Sequence, residues 1–305
     1  MSGIDGLTNA IDAFVQQARN STAEVSVSEP TVSNQRVIAD VTVTNKTGHR
    51  LPSGVGFRRA FVEFRVVDND TGNTVWCSGC TNDLGVITQG AGSERLRSEL
   101  FDVYKDGTKP ATLGYPAACN KPGVSPQHYQ RHLFWDPEKN TGSPITRQDQ
   151  VQIYEELNLN IDCAMTTSFL RRDYQLKDNR LLPFGWSKSG PLNPDKTPYI
   201  PADYLHETHP VAVGGDPSYA DGSGTSVVRY EVPLSAFAAR NVSVTATLYY
   251  QSIPPYYLRD RFTQAPDGPA TQRLYYLTSN LQTKGTEIEN WKFRIASASQ
   301  IATVR

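Results

Sequence analysis

The chain has 305 residues, of which 30 are Lys or Arg and 31 are Asp or Glu, so its formal net charge is −1. This near balance argues against nucleic acid or an anionic membrane as a bulk electrostatic partner, because either normally selects a basic face. The sequence contains no run of about 18 apolar residues that would span a membrane, and its 38% hydrophobic residues are enough for one large or two ordinary globular domains.

Residues 1–20 predict a short helix or linker ahead of the main domain. Thr8 is suited to the N-cap of a helix over residues 8–19. Four apolar residues follow at helical spacing: Ile11, Phe14, Val15 and Ala18. The start of the chain lacks the basic region and apolar core of a secretion signal, and we predict one elaborated domain over residues 21–305.

Strict alternation of apolar and polar residues predicts the first long strand. One face carries Val37, Ala39, Val41 and Val43, and the other carries Ile38, Asp40, Thr42 and Thr44. After a turn rich in Gly and Pro, a second strand is predicted at residues 60–67. A further turn at residues 68–73 leads into a returning strand at residues 74–77.

The remainder of the chain alternates strand-like segments with two long irregular ones. Periodicity fades over about residues 100–150, and residues 183–224 are rich in Pro, Gly, Asp and Ser, so we predict a loop insertion in each segment. Strands are predicted at residues 151–155, 166–176, 227–232, 242–253 and 291–295, and helices at residues 256–262 and 270–281. Many strands and few helices predict a mostly β fold: an antiparallel β-sandwich, immunoglobulin-like or related, with long loop insertions and a few short helices.

Residues 44–54 carry most of the family information in this sequence. They read Thr-Asn-Lys-Thr-Gly-His-Arg-Leu-Pro-Ser-Gly and are followed by Phe57, Arg58 and Arg59. This run resembles the non-haem β domain at the C-terminal end of certain bacterial multihaem c-type cytochromes, in which an Asn-x-Thr-Gly-His-x-x-Pro-x-Gly turn leads into an Arg-Arg strand. Further matching segments occur downstream in the same order: Ser78-Gly79, residues 177–185, Gly215-Asp216 with Tyr219, and residues 249–254. The resemblance extends over roughly residues 20 to 295.

The chain departs from those cytochromes in its haem attachment sequence. A c-type haem is attached through Cys-x-x-Cys-His, and the one such cysteine spacing here, Cys77 to Cys80, is followed by Thr81. No covalently bound haem is therefore expected. The resemblance implies that haem comes from a partner multihaem cytochrome subunit or from a missing domain, so that the chain is either part of a longer cytochrome or a stand-alone relative. It also implies an extracytoplasmic location, in the periplasm or at the cell surface.

The four cysteines, Cys77, Cys80, Cys119 and Cys163, are an even number in turns and coil. Together with the implied extracytoplasmic location, this favours two disulfides over four free thiols. Cys77 can pair locally with Cys80, which leaves Cys119 for Cys163. The other two connectivities stay open.

His49 is the candidate cofactor contact, because an imidazole in a turn can reach a haem iron or propionate supplied by another domain. The alternative is that it caps the turn by hydrogen bonds to the backbone. Asp216 and Asp221 offer the oxygen ligands that calcium prefers, although the twelve-residue loop with its distal Glu is absent. The pairs His128/His132 and His206/His209 lack the zinc-protease pattern, and we interpret them as ordinary polar residues.

Arg58 and Arg59 predict a structural network of charges. If both residues lie in a strand they point to opposite faces, so one is expected to be buried and paired. We predict that Glu155, Glu156 or Asp178 is the partner. Asn179 and Arg180 complete the predicted network.

No catalytic motif is recognisable in the sequence, and we predict a non-catalytic structural or docking module associated with extracytoplasmic multihaem electron transfer. The alternative is a surface module that binds carbohydrate or protein, since 15 Tyr and 4 Trp offer stacking platforms on the same scaffold. The oligomeric state stays open.

Overall fold

Two antiparallel β-sheets and a small two-stranded sheet form the framework of the structure, a computed structural model that describes residues 4–92, 94–105, 114–236 and 241–304. Within these residues the strands are β1 (Ala23–Val27), β2 (Thr31–Ser33), β3 (Arg36–Asn45), β4 (Arg59–Asp68), β5 (Thr74–Ser78), β6 (Trp135–Asp136), β7 (Thr141–Gly142), β8 (Ile153–Leu159), β9 (Met165–Thr166), β10 (Tyr174–Asp178), β11 (Thr225–Pro233), β12 (Asn241–Gln251) and β13 (Phe293–Thr303). The α-helices are α1 (Ile4–Ser21), α2 (Ala202–His206), α3 (Pro255–Gln264) and α4 (Pro269–Asn280). None of these helices is both long and apolar enough to cross a lipid bilayer.

β3 is the centre of the smaller sheet, which has the order β1-β3-β11 with β2 also paired to β3. Burial alternates along the whole of β3, as the sequence predicts. Its neighbour β11 places Val228 opposite Val41 and Tyr230 opposite Ala39. The period of two therefore turns one face of both strands toward the second sheet.

β4 is the centre of the larger sheet, which has the order β10-β8-β4-β12-β13 with β5 beside β4 and β9 beside β8. The first six residues of β4 are all buried, so this part of the strand does not alternate. The reason is that loops cover its second face, where Phe61 packs in a cluster with Ile87, Leu96, Val151 and Ile153.

Aromatic side chains join the two sheets. Phe64 of the larger sheet stacks on Tyr230 of the smaller one with ring centroids 4.0 Å apart. Trp76 lies edge-on to both rings, at 6.0 and 6.4 Å. The predicted antiparallel, sandwich-like β architecture with few helices is confirmed.

The N-terminal helix differs from its prediction. It begins at Ile4 and not at residue 8, so Thr8 lies inside the helix. Val15 and Ala18 are buried, whereas Ile11 is 49% and Phe14 is 62% exposed. The apolar stripe in the sequence is thus wider than the surface that covers it.

Two strand predictions were also wrong in extent. Residues 166–176 do not form one strand, because a turn separates β9 from β10. The closing strand β13 begins at Phe293, after Trp291, and continues to Thr303 because it pairs with the whole length of β12.

Candidate functional site

A buried asparagine fixes the turn that carries His49. Asn45 is the last residue of β3, and its Nδ2 donates to the backbone carbonyls of His49 (2.8 Å), Leu181 (3.1 Å) and Leu182 (3.2 Å). Its Oδ1 accepts from the backbone N–H and the hydroxyl of Thr47 at 2.9 and 2.7 Å. One side chain therefore holds the turn against the segment that follows β10.

His49 lies exposed on this turn with one ring nitrogen engaged. Its Nδ1 is 3.0 Å from the carbonyl oxygen of Arg50 and 3.3 Å from the hydroxyl of Thr47. Because a carbonyl oxygen only accepts, this contact places a proton on Nδ1, and in the neutral imidazole the lone pair is then on Nε2. Within the described part of the chain, Nε2 has no hydrogen-bond partner. Histidines that ligate a metal through Nε2 use this same tautomer.

Next to His49, side chains of alternating charge form a continuous series of ion pairs, in the order Arg50, Asp178, Arg180, Glu156 and Arg172. Asp178, whose side chain is 1% exposed, binds Arg50 and also accepts two hydrogen bonds of 2.9 and 2.7 Å from Arg180. Arg180 lies 3.0 Å from Glu156, which pairs with Arg172 at 2.8 Å. Burial lowers the pKa of Arg50, although the attraction of Asp178 acts in the opposite direction. Both carboxylates are occupied by arginines, which ties the turn to β8 and β10.

The predicted partner of the buried arginine was wrong. Arg59 is the fully buried member of the pair, and it binds Glu99 through two hydrogen bonds of 2.7 and 2.9 Å. Its Nε donates to Gln251 at 2.8 Å. Arg58 precedes β4 and is only half-buried, so the two arginines do not share a strand. Glu155 lies opposite Arg59 in the register of β4 with β8, but a short 3-10 helix places the carboxylate of Glu99 on the guanidinium.

Glu155 instead pairs with a lysine that the sequence analysis did not select. The Nζ of Lys177 lies 3.0 Å from Glu155 and also donates to the carbonyls of Gln130 and Ile153. Burial lowers the pKa of this lysine, while Glu155 acts to raise it. Lys177 is flanked by apolar and acidic residues in a strand, and that is the one sequence signal for a buried, paired charge.

Asn179 joins the network to the loop that contains Asp216. Its side chain donates to Nδ1 of His132 at 3.1 Å, and Nε2 of the same ring donates to Asp216 at 2.7 Å. Burial lowers the pKa of His132 despite the hydrogen bond to Asp216. Tyr219 closes the arrangement by donating to the carbonyl of Asn179 at 2.5 Å. The side chains of His132, Asn179, Asp216 and Tyr219 are buried, which favours a role in holding these loops together.

The two residues predicted to bind calcium, Asp216 and Asp221, have different hydrogen-bond partners. Asp216 binds His132 and the backbone N–H of Ser218, whereas Asp221 accepts from the backbone N–H of Ser223. No group of three or more His, Cys, Asp or Glu side chains placed to hold a metal ion occurs in the described segments. Calcium binding at this pair stays a prediction.

The structure contains the two disulfides in which Cys77 pairs locally with Cys80 and Cys119 pairs with Cys163. Cys77 bonds to Cys80, and Cys119 bonds to Cys163, with Cα separations of 5.9 and 5.7 Å. The second bond ties the long segment before β6 to the turn after β8.

An open groove of about 1300 Å³ runs beside β10. Arg172 and Tyr219 from the network contribute to its wall. Its other side chains combine aromatic rings with polar groups: Phe169, Asp173, Gln175, Trp186, Lys188, His206, Glu207 and His209. The indole of Trp186 lies edge-on to His209 at 6.1 Å. The sequence analysis did not bring these residues together, because they belong to segments separated by long loops.

Comparison with known proteins gives little further identification. No protein-family model matches the chain, and no curated protein matches it. Among solved structures there is a weak match to a penta-heme cytochrome c552 from Thermochromatium tepidum, with a TM-score of 0.35 and 13% sequence identity. The match covers 95% of this chain and 41% of the cytochrome chain, so this chain spans about two fifths of that protein's length. The similarity is too weak to assign a role to any residue.

Proposed function

We propose that this chain is a non-catalytic docking module of an extracytoplasmic multihaem electron-transfer system, and that His49 is its contact with a haem of the partner. The single observation that carries the proposal is the exposed imidazole of His49, whose Nδ1–H is held by a backbone carbonyl and whose Nε2 is free within the described residues. The resemblance of residues 44–59 to the β domain of multihaem cytochromes supports the same assignment.

The chemistry of His49 suits a haem that another subunit or domain supplies. A neutral imidazole nitrogen is a common axial ligand of haem iron, and a hydrogen bond from the other ring nitrogen fixes its orientation. Asn45 holds the turn that carries His49 by hydrogen bonds to the carbonyls of His49 and Leu181. Little conformational freedom of this turn therefore remains to be lost when a partner binds. The guanidinium of Arg50 binds Asp178 through Nη1, whereas its Nη2 is buried and has no hydrogen-bond partner among the described residues.

The rest of the site supports a scaffold role. The acids and bases beneath the turn bind one another and are buried, which favours positioning of loops over proton transfer to a substrate. Two disulfides are typical of an oxidising compartment, which agrees with the proposed extracytoplasmic location.

The first test is to isolate the protein from its native source and measure its intact mass together with a reduced haem absorption spectrum. We expect c-type haem bands, carried either by a co-purifying cytochrome or by additional residues of the same chain. A 33.8 kDa protein with no haem and no haem-bearing companion would contradict the proposal.

The second test addresses His49 directly. The multihaem cytochrome fraction from the same source is mixed with the wild-type protein, with His49→Ala and with the matched control His206→Ala, which also removes an exposed histidine. We expect a shift in the haem absorption with the wild type and the control that is lost with His49→Ala. Identical spectra for all three proteins would remove His49 as a haem contact.

The groove beside β10 supports a second candidate function, the binding of carbohydrate. Sugars present both apolar C–H faces and hydroxyl groups, and this groove offers Trp186 and Phe169 next to polar side chains such as Gln175. Titration with cellohexaose and chitohexaose, followed by calorimetry, tests it. Binding that is lost in Trp186→Ala but kept in Tyr276→Ala, an exposed aromatic on α4, would favour this function over the first.

A further inference from the structure

An apolar groove of about 550 Å³ lies between α3, α4 and the turn at residues 82–85. Its apolar wall is formed by Leu84, Ile253, Leu258, Phe262 and Trp291. Leu84 is 68% exposed, although it lies beside this wall. The groove shares no lining residue with the groove beside β10, so it is a separate feature of the surface.

The tryptophan of this groove sits on an unusual backbone. Asn290 and Trp291 both have φ of 56°, in the left-handed region. That conformation is uncommon for asparagine and a genuine outlier for a bulky residue such as tryptophan. Strained residues persist where the surrounding structure holds them, and they cluster at binding and active sites.

Buried neighbours hold Trp291 in this conformation. Gln251 is fully buried, and its Nε2 donates to the carbonyls of Gly85 (2.8 Å) and Trp291 (3.3 Å), while its Oε1 accepts from Arg59. A Cβ atom on Gly85 would lie 2.7 Å from the carbonyl oxygen of Asn290 and 2.9 Å from Cβ of Trp291. The absence of a side chain at Gly85 is therefore what lets the tryptophan backbone pass so close to the turn.

One unpaired cation marks the edge of the groove. Arg259 is the only ionisable side chain among the residues that line it, and it has no ion-pair or hydrogen-bond partner in the described segments. Arg261 on the same helix is different, because it binds Asp260 at 2.8 Å. Thr263, one helical turn after Arg259, also lines the groove, whereas the hydroxyl of Thr278 donates to the carbonyl of Leu274 at 2.9 Å.

We propose that this groove binds an amphipathic monoanion, namely an acyl chain that ends in a carboxylate. The acyl chain lies against Trp291 and Phe262, and the carboxylate pairs with Arg259. A volume of about 550 Å³ falls within the range of small-molecule sites, and an apolar wall with a few convergent polar groups is their usual composition. The proposal does not depend on a haem partner.

The test uses sodium dodecanoate below its micellar concentration, titrated into the full chain by calorimetry and followed by tryptophan fluorescence. Acetate supplies the headgroup alone, and dodecyltrimethylammonium supplies the same chain with the opposite charge. We expect saturable binding of dodecanoate that is several-fold tighter than that of the cation, because Arg259 is exposed and a solvent-exposed ion pair is screened. No saturable binding of dodecanoate, or equal binding of the two surfactants, would overturn the proposal.

Variants then locate the site. Arg259→Gln is expected to weaken dodecanoate binding about threefold to fivefold, whereas Arg273→Gln removes an exposed arginine of α4 that does not line the groove and should leave binding unchanged. Trp291→Gly is expected to abolish binding. Asn290→Gly relieves the backbone strain at residue 290 and keeps the indole of Trp291, so this variant should bind dodecanoate like the wild type. Equal affinities of the wild type and Arg259→Gln would place the carboxylate elsewhere and refute the assignment, and thermal unfolding of each variant identifies a loss of fold.

Discussion

Removing the charge of Glu99 should destabilise the protein severely. Glu99 is fully buried and accepts hydrogen bonds from Nη1 and Nη2 of Arg59 and from the backbone N–H of Ile87, at 2.7, 2.9 and 3.0 Å. Glu99→Gln keeps the shape of the side chain but replaces one acceptor oxygen by an NH₂ group, which then faces another donor. Arg59, which is 2% exposed, is left as a buried cation without its hydrogen-bonded carboxylate, and the neighbouring Glu155 is already bound to Lys177. A buried pair broken in this way typically costs about 3–5 kcal/mol.

The assay is urea unfolding under non-reducing conditions, followed by tryptophan fluorescence and circular dichroism. Asp149→Asn is the matched control, because Arg147 and Asp149 form a pair whose side chains are 65% and 43% exposed. We expect this control to lose less than about 1 kcal/mol of unfolding free energy.

A double variant separates the pair from its surroundings. Arg59→Met with Glu99→Leu removes both charges, so its loss should be smaller than the sum of the two single losses by about 2 kcal/mol. Losses that add to within about 0.5 kcal/mol would show that Arg59 and Glu99 act independently, and the reasoning about an uncompensated charge would be refuted.

Three further predictions concern the turn, the buried histidine and the long loop. Asn45→Ala leaves buried carbonyls without their donor and should lower the free energy of unfolding by about 2–4 kcal/mol, with faster amide hydrogen exchange in the turn; unchanged exchange would contradict the anchoring role. Burial lowers the folded-state pKa of His132, so the unfolded chain binds more protons than the folded chain, and stability should fall as the pH drops below about 6.5. His132→Gln should flatten this decline in stability, whereas His206→Gln, the exposed control, should not. Replacing Cys119 and Cys163 by serine opens a loop with a sequence separation of 44 and should cost about 4 kcal/mol on the chain-entropy model; a loss below about 1 kcal/mol, measured by urea unfolding, would contradict that estimate.

The candidate site was only partly predictable, and its residues show why. Asp178, Asn179 and Arg180 stand together in the sequence, so their local pairing is readable from a turn that follows a strand. Glu99 gives no such signal, because it lies in a short 3-10 helix 40 residues from Arg59. Trp291 is similar, since no pattern in its neighbours predicts a left-handed backbone.

The sequence by itself determined the long alternating strands. Alternation predicts β3 and β11, because the side-chain period of two decides which side chains face the core whatever the rest of the chain does. Dense Gly and Pro turns fix the antiparallel class. Only the tertiary structure decided the partners: β4 is buried on both faces because loops cover it, and Arg59 binds Glu99 while Glu155, which lies opposite Arg59 on β8, binds Lys177. Local steric preferences act over a few residues, whereas the pairing of buried charges depends on which distant segments share a dry interior.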